Sequence, residues 1–304
     1  MKRQFKILAA SLCTTLLFTG CSAPEPQQTA ASNEPAAGPW QPIEDTERTN
    51  RAQTTYQELF GDMDLSINKT NPEYADIINN FIYGDVYHQS DLLDLREREL
   101  ITLVSLTTHQ SYELLRQHAV GAVNAGLTPE EVMEAVYHCT PYVGIATSYE
   151  AVTAVTEAFV ENDIPLPLEE QTQVSDLERY SQGNEAQVSI FGEFIRRPED
   201  QVEDGINKYV SAWCFGDFYT RGAIDLKTRE LLTMCILANM GVDQLSSHVR
   251  GTNSVGYSQE EIIAAITQCM PYMGTPRTLS AMSVVNQAFA PEPAPAPDGE
   301  NSEE

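Results

Sequence analysis

Two glutamate–histidine pairs are the residues best suited to move a proton. Glu99 precedes His118 by 19 residues, and Glu230 precedes His248 by 18. Histidine titrates near neutral pH, so it can take or give a proton there. A carboxylate on a neighbouring buried helix can orient the ring and hold its charge. Both glutamates sit in mostly apolar helical stretches, where an acid needs a partner. Arg98 and Arg229 each stand one residue before a glutamate. They could grip a substrate carboxylate bidentately or form structural ion pairs. The competing reading of His118 and His248 is a core histidine that caps a helix or bonds a carbonyl.

The elements that must position these residues occur twice. Leu95 to Phe159 is repeated from Leu226 to Phe289, with a shift of 131 residues before the histidine and 130 after it. An internal repeat of this length fixes the architecture. Helical spacing dominates and sustained alternation is lacking, so the fold expected is all-α, two tandem units of about six helices each. Helices are expected over Arg51–Phe60, Pro72–Tyr87 and Arg96–Thr107 in copy one. Their expected counterparts in copy two lie near Gln173–Ser181, Glu199–Phe218 and Lys227–Met240. The next helix carries the histidine and stops at Gly126 or Gly256. A capping box follows, Thr128-Pro129-Glu130-Glu131 or Ser258-Gln259-Glu260-Glu261. Consecutive helices turning near His109 to Ser111 must run antiparallel. The acid and the histidine then meet at one end of the hairpin, within hydrogen-bond reach or one water apart, beside a cavity.

Four signals recur in order in both copies: R-E-L opening the buried helix, the histidine, G-[LY]-[TS]-x-E-E, and P-Y-x-G. This order resembles the carboxymuconolactone decarboxylase family, whose wider group includes AhpD-type alkylhydroperoxidases. The resemblance covers about 65 residues per copy. It implies decarboxylation of a lactone acid or isomerisation of an unsaturated acid, with no metal or organic cofactor. Glu99, His118, Glu230 and His248 would be catalytic; Arg98, Arg229, Tyr142 and Tyr272 would bind substrate. Rings built by single-copy relatives imply a homotrimer for a two-copy chain. The peroxidase branch needs a C-x-x-C pair; its positions fall on Ser111 and Leu114, and copy two has Cys235 but no such pair. Copy one keeps the family's Glu134 where copy two has Ala264, which points to copy one as the better preserved site. Two alternatives stay open: a divergent hydroperoxidase using an exposed Cys139 or Cys269, and a non-catalytic binding protein that retains the fold. His88, His109 and His138 lack counterparts in copy two and have no metal-ligand spacing, so they read as ordinary residues, with His138 a candidate pocket liner.

The 304 residues carry a net charge of −26. Without residues 1–20, which hold Lys2, Arg3 and Lys6 and no acid, the balance is 15 basic against 44 acidic, or −29. Such a surface repels nucleic acid and anionic headgroups. Residues 1–20 read as a signal peptide: a basic start, an apolar run from Ile7 to Phe18, then Gly20-Cys21. The ending resembles the bacterial lipobox, which implies lipidation at Cys21, membrane attachment through that lipid alone and an extracytoplasmic location. Residues 21–45 read as a flexible tether, 46–160 as copy one, 161–172 as a linker, 173–290 as copy two and 291–304 as a disordered acidic tail.

Overall fold

The computed structural model describes residues 39–291 apart from 64 and 204. The expected signal peptide, Cys21, most of the expected tether and residues 292–304 lie outside the described residues. Among the described residues every regular element is helical. Copy one holds α1 (Glu47–Phe60), α2 (Ser66–Thr70), α3 (Pro72–Asn79), α4 (Leu95–Thr108), α5 (Tyr112–Asn124), α6 (Pro129–His138), α7 (Thr140–Val143) and α8 (Ile145–Glu161). Copy two holds α9 (Arg179–Phe191), α10 (Ile206–Tyr209), α11 (Leu226–Met240), α12 (Leu245–Ser254), α13 (Gln259–Met273) and α14 (Thr275–Ala288). Both capping boxes form as the sequence predicts, Thr128 with Glu131 and Ser258 with Glu261. None of these helices is long and apolar enough to cross a membrane.

Three boundaries differ from expectation. Trp40 is only 4% exposed and its ring lies 5.6 Å from Tyr56, so ordered chain begins before the tether's expected end at Asp45. A large indole buries too much apolar surface to stay in solvent when a core is within reach. The first helix of copy two is Arg179–Phe191, not Gln173–Ser181. The helix expected over Pro72–Tyr87 breaks into α3, a π-turn over Asn80–Asp85 and a 3-10 turn over Val86–His88. Copy two repeats the π-turn over Val210–Tyr219. Such turns re-aim the side chains they carry. Here they carry Tyr83 and Tyr87, and Phe215 and Tyr219. The crossing of α9 over the second π-turn depends on glycine, because a Cβ on Gly183 would stand 1.9 Å from the Ser211 carbonyl oxygen.

One core serves both copies. Every residue of α4 from Arg98 to Thr107, and of α11 from Arg229 to Asn239, is buried. A helix buried all round must be covered on every side. α4 is covered by α5, α6 and α8 of its own copy and by α11 and α13 of the other. α11 reciprocates, meeting α12, α13 and α14 of its own copy and α4 and α6 of the other. Contact of equivalent elements in both directions is the pattern of an isologous interface, here enclosed in one chain. Polar bonds cross it: the Asn239 amide donates to Ser105 Oγ at 3.0 Å, and Gln89 donates to the Ala264 carbonyl at 2.8 Å.

Candidate active site

α4 and α5 bring Glu99 and His118 together as the spacing predicts. Glu99 Oε2 lies 2.9 Å from His118 Nδ1. Glu99 Oε1 accepts from the Tyr87 hydroxyl at 2.6 Å, which also lies 3.2 Å from Thr102 Oγ1. In copy two Glu230 Oε1 is 2.8 Å from His248 Nδ1, and Glu230 Oε2 accepts from the Tyr219 hydroxyl at 3.0 Å. Gly251 leaves the room this needs, since a Cβ there would stand 2.5 Å from Glu230 Oε1. Both glutamates are fully buried. Burial pushes the Glu230 carboxyl up, against the opposing pull of His248. Burial likewise raises the Tyr87 and Tyr219 hydroxyls, so they stay protonated donors. A carboxylate on Nδ1 fixes the ring and leaves Nε2 as the atom available for proton transfer.

Each pair is finished by the other copy. Tyr272 sets its ring edge-on to His118 at 6.2 Å. The Tyr142 hydroxyl lies 2.9 Å from that of Tyr219 and 3.0 Å from Thr233 Oγ1. His138 of copy one reaches the same cluster, with Nε2 donating to the Arg229 carbonyl at 3.0 Å and 2.9 Å from Thr233 Oγ1. Its pKa is pushed well down, first by complete burial and then by the Arg229 charge. Cys214 joins this cluster, its Sγ 3.8 Å from the Tyr142 hydroxyl, with its pKa pushed up to about 12 by burial.

Arg98 and Arg229 do not face a substrate. Arg98 donates to the Val86 and Ser90 carbonyls and to Gln268. Arg229 donates to the Ile224, Arg221 and Gly222 carbonyls and to Glu134 Oε2 at 2.9 Å. Glu134 also takes both prongs of Arg221. A guanidinium at full burial is held by the carbonyls around it. Both arginines therefore pin the segment that leads from the active tyrosine into α4 or α11, and the substrate clamp expected of them is corrected. The expected cavity beside His118 is filled by Phe60, Tyr83 and Tyr272. Surface depressions of about 480 and 540 Å³ occur near the linker and the Arg221–Leu226 turn, and neither histidine lines them. Cys139 and Cys269 are completely buried, which contradicts the exposed thiol that a hydroperoxidase reading requires. His88 and His109 bond Thr55 and Asn239.

The tyrosines that bond the glutamates escaped the sequence reading, although a signal was there. Tyr83-Gly84-Asp85-Val86-Tyr87 recurs as Phe215-Gly216-Asp217-Phe218-Tyr219, at a shift of 132. Its aspartates take equivalent ion pairs, from Arg48 and Arg179.

Comparison with known proteins gives one consistent result. The family model described as the carboxymuconolactone decarboxylase family matches residues 72–157 and 205–287. A 4-carboxymuconolactone decarboxylase of Acinetobacter baylyi is 27% identical over 121 residues, 38% of this chain and 90% of the relative. A nitrosuccinic acid decarboxylase of Metarhizium robertsii is 32% identical over 81 residues, 26% of this chain and 57% of the relative. A solved structure assigned as a gamma-carboxymuconolactone decarboxylase subunit of Burkholderia xenovorans aligns with a TM-score of 0.48 at 18% identity, over 79% of this chain and 94% of that one.

Proposed function

The chain belongs to the carboxymuconolactone decarboxylase family, and we propose that it is an enzyme that moves a proton to or from carbon in a small organic acid or lactone. The observation that carries this reading is the glutamate on histidine Nδ1, repeated at 2.9 and 2.8 Å in the two copies. With the carboxylate accepting from Nδ1–H, the neutral ring presents the Nε2 lone pair. It removes a proton from carbon beside a carbonyl, the electron pair moves into the carbonyl, and the glutamate holds the imidazolium. Return of the proton to another carbon isomerises the substrate. In a decarboxylation the ring begins protonated: CO2 leaves, the electron pair of the broken C–C bond moves into the adjacent carbonyl, and Nε2–H gives its proton to that carbon, leaving the ring neutral. The two decarboxylases similar to this chain support an acidic substrate. The tyrosines of P-Y-x-G, Tyr142 and Tyr272, would contact it.

The test is turnover of a panel of lactone acids and unsaturated acids by the full-length chain, with peroxides as controls. Glu230→Gln combined with Glu99→Gln should leave the helical content unchanged and lower turnover by roughly 10², the usual scale of lost acid–base assistance. Unchanged turnover in the double variant removes the assignment. We also propose that the protein is held at an extracytoplasmic membrane face by lipid on Cys21, and that it assembles as a homotrimer.

A further inference from the structure

The two sites are not equivalent, and we infer that copy two alone carries the chemistry while copy one is its closed counterpart and lends it Tyr142. This inference rests on the proton-transfer reading above and says where that reaction happens. The first observation concerns Nε2, the working nitrogen. In copy one it lies 3.4 Å from the Tyr83 hydroxyl. The equivalent residue of copy two is Phe215, which has no hydroxyl, and among the described residues no group bonds His248 Nε2. A base already engaged in a hydrogen bond must break it before it can act; an open one need not.

The second observation is access. The His118 side chain is 3% exposed and that of His248 is 14% exposed. Three rings cover His118: Phe60 at 5.3 Å, Tyr83 at 6.4 Å and Tyr272 at 6.2 Å. His248 keeps the first of these as Phe191, at 5.2 Å. The counterpart of Tyr272 is Tyr142, whose hydroxyl bonds Tyr219 and Thr233, and among the described residues no ring contact joins it to His248. The residue one turn earlier also differs between the copies. His138 occupies the place of Gln268 and bonds Thr233, which bonds Tyr142. Gln268 of the other copy bonds Thr102 and Arg98.

Phe191 is the ring set against His248, with Phe215 behind it at 6.2 Å, while Cys214 lies against the Tyr142 hydroxyl. Arg229 is turned away. These surroundings fit the apolar carbon skeleton of a small acid that carries an enolisable carbonyl or a lactone ring. Tyr142 acts as a positioning residue, holding Tyr219 on the Glu230 carboxylate from across the copy boundary.

The test is residue-resolved carbethoxylation of the full-length chain with diethyl pyrocarbonate at neutral pH. The reagent takes an unprotonated ring nitrogen, which is Nε2 where a carboxylate holds Nδ1–H. His248 should react at least tenfold faster than His118, and Phe215→Tyr should erase most of that difference by placing a hydroxyl over His248. Equal rates in the wild-type chain, or a faster His118, overturn the inference whether or not a substrate is known. Turnover supplies the second arm. His248→Gln should lose at least 10² of the activity found with the panel, whereas two equal sites would leave about half. Retention of half overturns the division between copies but leaves the glutamate–histidine reading standing. A panel without turnover, beside a fast His248, counts against that reading alone.

Discussion

His138 offers a test of the copy interface that needs no substrate. It is fully buried, with Nε2 on the Arg229 carbonyl and Thr233, and its pKa lies well below the ordinary value. The depressed value belongs to a base, so the folded chain resists its protonation. The stability tied to the neutral ring is present above the unfolded pKa of about 6.5 and is lost as pH falls below it. At pH 5 the unfolded ring is about 1.5 units into its protonated range. At about 1.36 kcal/mol per unit, folding then loses up to about 2 kcal/mol relative to pH 7. The variant His138→Gln copies the residue at Gln268, which donates to Thr102 at 3.3 Å and accepts from Arg98 at 3.0 Å. It keeps a hydrogen bond to Thr233 within reach and removes the titration. Urea unfolding at pH 7 and pH 5 should show the wild-type chain losing more than the variant between the two, by up to about 2 kcal/mol. Parallel losses, within about 0.5 kcal/mol, would show that the ring is reached by water or by a proton without opening the interface, and the reasoning would fail.

Three other outcomes are expected. Glu134→Ala leaves Arg229 buried with carbonyls alone and should cost about 3 kcal/mol by urea unfolding; a loss below about 1 kcal/mol would show that the carbonyls suffice. Cys21→Ser should shift the protein from the membrane to the soluble fraction after a salt wash, and continued sedimentation with membrane would end the lipobox reading. Light scattering at micromolar concentration should give the mass of three chains; the mass of one chain would exclude the trimer.

Much of this was legible in the sequence because the signals were local or repeated. The capping boxes at Thr128 and Ser258, and the pairing of Glu99 with His118 across one hairpin, follow from helix geometry and chain order. What escaped reading depends on contacts between distant segments. Nothing local in Pro141-Tyr142 says that the hydroxyl will reach Tyr219, 77 residues on. The π-turns were hidden because their residues, from Asn80 to Asp85, look helical by period. Arg98 and Arg229 read as substrate ligands because sequence shows a cation beside an acid. It does not show the carbonyls of Val86, Ser90 and Gly222 that hold it. The preference for copy one rested on Glu134, a residue that the fold commits to Arg221 and Arg229 at the rim of the other copy's site.

Enclosing the α4–α11 contact in one polypeptide also changes what inheritance can do to it. In a pair of identical subunits each substitution appears on both sides of the axis, so a change that closes one pocket closes its twin. Here Tyr83 and Phe215, Glu134 and Ala264, and His138 and Gln268 are separate codons. One half is free to drift toward a rigid support while the other is held to its task. Selection can then test the halves one at a time, with the folded state of the whole guarded by the half that no longer has to admit a ligand.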